Sequence, residues 1–136
     1  MAIALVTFLD TPDQHTKAIL DSLGSAIRTR GFDLVLVDGT SASSTVAMAT
    51  FDYIATITRP DSLWRATVPA RVEQFWKEAV GIQGKKGCTL VIRHGWRTNA
   101  FCRKVMAIME SVGICVDYFE IIRDAGHCSD IAPFIG

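Results

Sequence analysis

The run IALVTFL at residues 3–9 decides the fold. It is short, almost wholly apolar, and breaks at Asp10 into TPDQHT, residues 11–16. A run of that length and character is a strand buried on both faces, as in a parallel sheet covered by helices on both sides. Residues 14–30 follow, with Ile19, Leu23, Ala26 and Ile27 on one helical stripe and Lys17, Asp21 and Arg28 off it. Gly31 supplies a helix stop, and DLVLVD at Asp33–Asp38 a second strand. Further out the same alternation repeats. Residues 39–50 are small and polar, a loop with at most a short helix around Ala47 and Met48. DYIATIT at residues 52–58 is a third strand, and a long connection holding Pro60, Ser62 and Trp64 leads to Pro69, which suits the first turn of a helix. Val72, Phe75, Trp76, Ala79 and Val80 form that helix's apolar stripe.

GCTLVIR at residues 87–93 is a fourth strand, and residues 94–97 a loop. Thr98 or Asn99 is placed to cap a helix whose core face is Phe101, Val105, Ile108, Met109 and Val112. Gly113 ends it, and residues 114–122 form a fifth strand. Strands alternating with crossover helices predict a three-layer α/β sandwich, one domain over residues 1–136, with no internal repeat and no linker.

Composition narrows the function. Apolar residues make up 49% and charged residues 21% of the chain, which excludes a disordered segment. Fourteen basic and fourteen acidic side chains cancel, so no basic field exists to hold nucleic acid, and self-association meets no charge barrier. No uncharged apolar stretch is long enough to span a bilayer, and the N-terminal run lacks the basic lead of a signal peptide. Cys88, Cys102, Cys115 and Cys128 show no CxxC or zinc spacing; they read as thiols of a cytoplasmic protein, three of them in the core.

In an open parallel sheet, ligands bind where loops leave the C-terminal strand edges at the reversal of strand order. The loops after strands one, three and four converge there. Two of the three tryptophans, Trp64 and Trp96, lie in those loops, whereas Trp76 sits on an apolar helix stripe. Two indoles at one mouth fit the walls of a flat aromatic site, or they cap the end of the sheet. The first loop runs into a helix N-terminus, where free amides and the helix dipole favour an anion, and Thr11 and Thr16 add hydroxyls.

These residues resemble those of the short flavodoxins, from residue 3 to about residue 122. The family's phosphate loop, T/S-x-T-G-N-T, is matched here by Thr11-Pro12-Asp13-Gln14-His15-Thr16. Phe51-Asp52 stands where the family opens its third strand with Y-D, and Thr58-Arg59-Pro60 where it ends with G-S-P; Trp64 takes the place of the aromatic that follows. Pro69-Ala70, Val72 and Phe75 resemble P-A-x-V-x-x-F, Gly84-Lys85-Lys86-Gly87 resembles G-K-K-x, and His94-Gly95-Trp96 resembles Y-G-W. The resemblance implies a five-stranded parallel sheet in the order 2-1-3-4-5, FMN as cofactor, and an electron carrier rather than a stand-alone enzyme, serving a redox partner protein. By the same resemblance Trp64 and Trp96 sandwich the flavin, Thr11 to Thr16 surround its phosphate, and Arg59, Pro60, Asp61, Ser62, His94, Gly95 and Arg97 complete the rim.

Departures from the family pattern bear on the chemistry. Asp13 stands where a threonine is usual and Gln14 where a glycine is. A carboxylate about 5 Å from a phosphate weakens binding by about two decades in dissociation constant. Aspartate is also a favoured N-cap, and as a cap it takes the amides that a phosphate needs. Arg59, Arg65, Arg93 and Arg97 make the mouth basic where the family's rim is usually acidic, and Leu63 and Arg65 flank Trp64 where glycine is frequent. Two alternatives therefore stand beside the carrier: a flavodoxin-like assembly module that has lost FMN, and a binder of another phosphorylated ligand. Three histidines without i,i+3 or i,i+4 pairing give no metal signature. Only thirteen residues follow Arg123, so the family's last helix is absent or partial. The sheet face it would cover calls for the tail itself, through Ile131, Phe134 and Ile135, for a second copy of the chain in a homodimer, or for further sequence of a longer protein of which this chain is a piece.

Overall fold

The structure, a computed structural model, describes residues 1–9, 13–40 and 48–136. Five strands, β1 (Ala2–Phe8), β2 (Asp33–Asp38), β3 (Tyr53–Thr58), β4 (Lys86–Ile92) and β5 (Cys115–Ile122), make one sheet in the order β2-β1-β3-β4-β5, every pair parallel. This is the predicted order. The helices are α1 (Gln14–Thr29), α2 (Ala70–Glu78), α3 (Thr98–Ser111) and α4 (His127–Ile131), followed by a 3₁₀ turn at Ala132–Phe134. Among the described residues, no helix is long and apolar enough to cross a membrane. The expected loop or short helix at residues 39–50 falls largely on residues 41–47, which lie outside the described residues.

Each sheet face carries its own core. Phe75 and Trp76 from α2 and Phe101, Val105 and Met109 from α3 pack on Ala4, Val6, Ile54 and Val91. On the other face Ile19, Leu23 and Ile27 of α1 lie over Ile3, Leu5, Ala55 and Leu90. Central β3 is buried at every residue, as its apolar run requires, whereas edge strand β5 alternates. Its register slips opposite Gly87 and Cys88, leaving Asp117 as an extra residue, and Tyr53 Oη donates to its Oδ1 at 2.7 Å.

Two local expectations are corrected. Helix α2 stops at Glu78, and Ala79 is extended at φ −67°, ψ 140°. Val80 is therefore off the stripe and exposed; its carbonyl accepts the Met48 amide at 2.9 Å instead. Neither Thr98 nor Asn99 caps α3: Arg97 holds the N-cap position. The turn at Gly95 starts the helix early, so Thr98 is already helical and buried, with its hydroxyl donating to the His94 carbonyl at 3.0 Å.

The last helix is partial, and the tail covers the face that it would occupy. Cys128, Ile131, Ala132 and Ile135 are buried, and all but Ala132 join the α1-side core. Burying the two isoleucines contributes about 3–6 kcal/mol. Arg30 clamps the segment, its Nη1 donating to the carbonyls of Ala132 at 2.7 Å and Ile135 at 3.2 Å. Phe134 stays largely exposed but stacks on Tyr118, centroids 5.3 Å apart. Of the three outcomes expected for this face, the chain's own tail supplies one, so a homodimer is not needed to close it.

Candidate functional site

Strand order reverses between β1 and β3, where Phe8 pairs with Thr58. From this edge three segments leave: the entry to α1, the β3–α2 connection starting at Arg59, and the β4–α3 loop at residues 93–97. Thr11 and Pro12, expected to hold phosphate, lie outside the described residues.

At the α1 entry Asp13 is the N-cap. Extended at φ −75°, ψ 179°, it accepts the Thr16 amide on Oδ1 at 2.8 Å and the Lys17 amide on its carbonyl at 2.9 Å. Hydrogen bonds from Thr16, with help from nearby Arg59, hold the Asp13 carboxyl below the usual carboxylate range. Gln14 and His15 are exposed; Thr16, expected to offer a hydroxyl to the ligand, is buried at 2% exposure. Arg59 links this entry to the fourth-strand loop. Its Nη1 lies 3.8 Å from Asp13 Oδ2, and its Nη2 lies 2.9 Å from His94 Nδ1. A guanidinium only donates, so His94 Nδ1 is the acceptor and the ring proton sits on Nε2.

The second half of the site is aromatic. Ser62 Oγ accepts the amides of Trp64 and Arg65, each at 3.2 Å, and turns the loop outward. The Trp96 amide donates to the Leu63 carbonyl at 3.0 Å. Gly95 makes this approach possible: its φ is +77°, and a Cβ there would lie 2.5 Å from Leu63 Cα. So joined, Trp64 and Trp96 stand with ring centroids 5.5 Å apart and planes 33° from parallel. They are 68% and 80% exposed, so neither indole is spent on capping the core. Pro60 is buried, and Asp61, Arg65, Arg93 and Arg97 are exposed.

Contacts join some of the described site residues in two groups, Asp13–Arg59–His94 and Leu63–Trp64–Gly95–Trp96, whereas Gln14, His15, Asp61 and Arg97 are exposed beside them. The Leu63 carbonyl and the Thr98 hydroxyl, which braces the β4–α3 loop, enter this geometry in ways that the sequence did not indicate, Leu63 being expected only as a neighbour of Trp64 and Thr98 only as a helix cap. A main-chain acceptor leaves no trace in residue type, although a glycine beside an exposed tryptophan marks where two backbones meet. Among the described residues no group of histidines, cysteines and carboxylates is placed to hold a metal ion.

A sheet in this order, with its mouth at the β1/β3 edge, defines the flavodoxin-like α/β fold. No protein-family model and no curated protein matches the sequence. Among solved structures, the chain is similar to a flavodoxin from the domain Archaea, 18% identical with a TM-score of 0.72, covering 97% of this chain and 94% of that one. It is similar to the two-electron reduced flavodoxin of Megasphaera elsdenii, 18% identical with a TM-score of 0.72, covering 96% and 95%. It is also similar to the Fusobacterium nucleatum flavodoxin bound to flavin mononucleotide, 12% identical with a TM-score of 0.66, covering 98% and 95%. At these identities the likeness establishes the fold.

The two halves of the site differ in how they suit FMN. A ring held between two indoles needs two contact layers, about 7 Å in all, so a planar guest enters only by parting the pair from 5.5 Å. Exposed side chains with few packing contacts part readily. At the phosphate end, Asp13 already holds the Thr16 amide and sets a negative charge against any anion.

Proposed function

We propose that the protein binds a flavin at the β1/β3 edge of the sheet and carries electrons, in the manner of the flavodoxins whose fold it shares. The observation that carries this reading is the Trp64–Trp96 pair, exposed and held at the strand-order reversal by the bond between Trp96 and Leu63. A protein seldom leaves two adjacent indoles in water without use. FMN is the flavin that the fold suggests. The redox chemistry would be the flavin's; this chain's residues would stack on the ring and shield it from water. The test is titration of purified protein into FMN and, separately, riboflavin. Quenching of flavin fluorescence in the micromolar range by at least one of them is the expected result; no quenching of either at millimolar concentration overturns it.

A second reading, an assembly module that has lost its cofactor, is favoured by one observation. Asp13 caps α1 and so takes an amide from the anion site. That reading predicts a stable oligomer without flavin, and a clean monomer in sedimentation counts against it. The reading as a binder of another phosphorylated ligand loses Arg59, which faces Asp13 and His94, and would rest on the exposed Arg65, Arg93 and Arg97.

A further inference from the structure

We infer that the flavin this site selects is one whose side chain ends without a phosphate, a riboflavin-like ligand with a neutral polyhydroxyl tail. The inference rests on the flavin reading above and deepens it. It follows from a mismatch between the two halves of the site: a wall for a flat ring, beside a helix end where the protein sets its own anion on the Thr16 amide.

The N-terminus of α1 holds the free amides and the positive dipole end closest to the sheet edge. In this chain Asp13 Oδ1 accepts from the Thr16 amide at 2.8 Å, and that amide has no second hydrogen to give. The charge matters as much as the lost donor. An ionised carboxylate at the cap repels a phosphate dianion at the same helix end, and the low pKa of Asp13 keeps it ionised at neutral pH. The nearest countercharge does not reverse this. Arg59 lies against Asp13 Oδ2 and donates to His94 Nδ1, so it balances the aspartate it already faces. Thr16, buried at 2%, has no surface on which to receive an incoming oxygen.

None of these obstacles touches a neutral tail. Hydroxyl groups both donate and accept, so they bond a carboxylate oxygen, a guanidinium or a ring nitrogen without a charge penalty. The Arg59 guanidinium, the half-buried His94 and the exposed Gln14 side chain form a polar rim suited to hydroxyls, and Asp13 is not needed for it. The ring end, formed by Trp64 and Trp96, is indifferent to the phosphate.

The experiment compares dissociation constants for riboflavin and FMN, which differ only in the phosphate, by fluorescence titration of the full-length protein at neutral pH. Wild type is expected to bind riboflavin at least as tightly as FMN. Asp13→Ser keeps a helix-capping oxygen and so preserves the fold, but removes the charge. It should tighten FMN about 100-fold while riboflavin moves by less than about threefold. A circular dichroism melt confirms that the variant is folded, and Asp13→Asn serves as a second capping variant without charge. Wild type preferring FMN tenfold or more overturns the inference and leaves the flavin reading standing. So does an equal shift for both ligands in Asp13→Ser. Failure of both ligands on both proteins overturns the flavin reading and this inference with it.

Discussion

Trp96 hangs from Leu63: its amide donates to the Leu63 carbonyl at 3.0 Å, and the intervening geometry leaves no room for a Cβ at Gly95. The indole pair is therefore a product of backbone contact between two loops and does not rest on side-chain packing. Gly95→Ala tests this. Alanine at φ +77° is strained, and its Cβ would meet Leu63 Cα at 2.5 Å. We expect a loss of about 2 kcal/mol and a Tm lower by about 8 °C. The exciton signal that two close indoles give in circular dichroism should vanish with it. A variant that keeps both Tm and signal would show that the loops do not need each other.

The tryptophans themselves separate stability from binding. Trp64→Ala and Trp96→Ala remove side chains that are 68% and 80% exposed, so each should change the unfolding free energy by about 0.5 kcal/mol or less. Each should nevertheless weaken flavin binding by about tenfold or more, because stacked aromatic pairs contribute about 0.5–1.5 kcal/mol beyond area burial. Equal flavin affinity in wild type and both variants would place the ring elsewhere.

The sheet was legible because apolar runs and helical stripes report burial directly, and burial is what builds a parallel sheet. The strands stand within one residue of their expected limits: Asp33–Asp38 is as read, and β3 opens at Tyr53, one residue after Asp52. The ends were harder. Val80 continued the stripe in sequence, yet the helix had stopped at Glu78, because a bond to Met48 outweighed two more helical residues. At the site, the order of strands and connecting loops put Trp64, Trp96, Arg59 and His94 at one edge. It could not show that Arg59 would be shared between Asp13 and His94, since that depends on the relative heights of three loops.

The tail is predicted to be structural. Ile131→Ala and Ile135→Ala truncate buried side chains and should each cost about 2–4 kcal/mol in urea unfolding. Arg30→Ala removes two donations to tail carbonyls and the contact with the Phe32 ring, 5.2 Å away, at a cost of about 1–2 kcal/mol. Changes near 0.5 kcal/mol at both isoleucines would mean that something else covers this face.

Thiol chemistry should single out one cysteine. Cys88, Cys102 and Cys128 are buried and Cys115 is exposed. In folded protein at mild pH, one equivalent of a thiol reagent should react, and Cys115→Ser should abolish the reaction. Burial pushes the Cys88 thiol from 9.0 up to about 12, and Cys102 and Cys128 to about 11. Burial also raises the Tyr53 hydroxyl. Groups whose folded pKa is raised contribute stability that is full below the unfolded value and is lost as pH rises through the folded one. Urea midpoints should therefore hold up to about pH 9 and fall steadily above it. A flat profile through this range would show that these groups ionise equally in both states.

Asp13 acts at the opposite end of the pH scale. Its folded pKa lies below 3.8, chiefly through the Thr16 amide. The unfolded chain therefore takes up this proton first as pH falls, and the cap's charged contribution, complete above that value, disappears below it. Wild type should lose more stability than Asp13→Ser between neutral pH and pH 3, because serine keeps a cap that does not titrate. Salt should narrow the gap at neutral pH by screening Asp13 from Arg59 and the helix dipole. Parallel acid limbs for the two proteins would mean that Asp13 is as free in the folded chain as in the unfolded one. That result would reopen the α1 entry to an incoming phosphate.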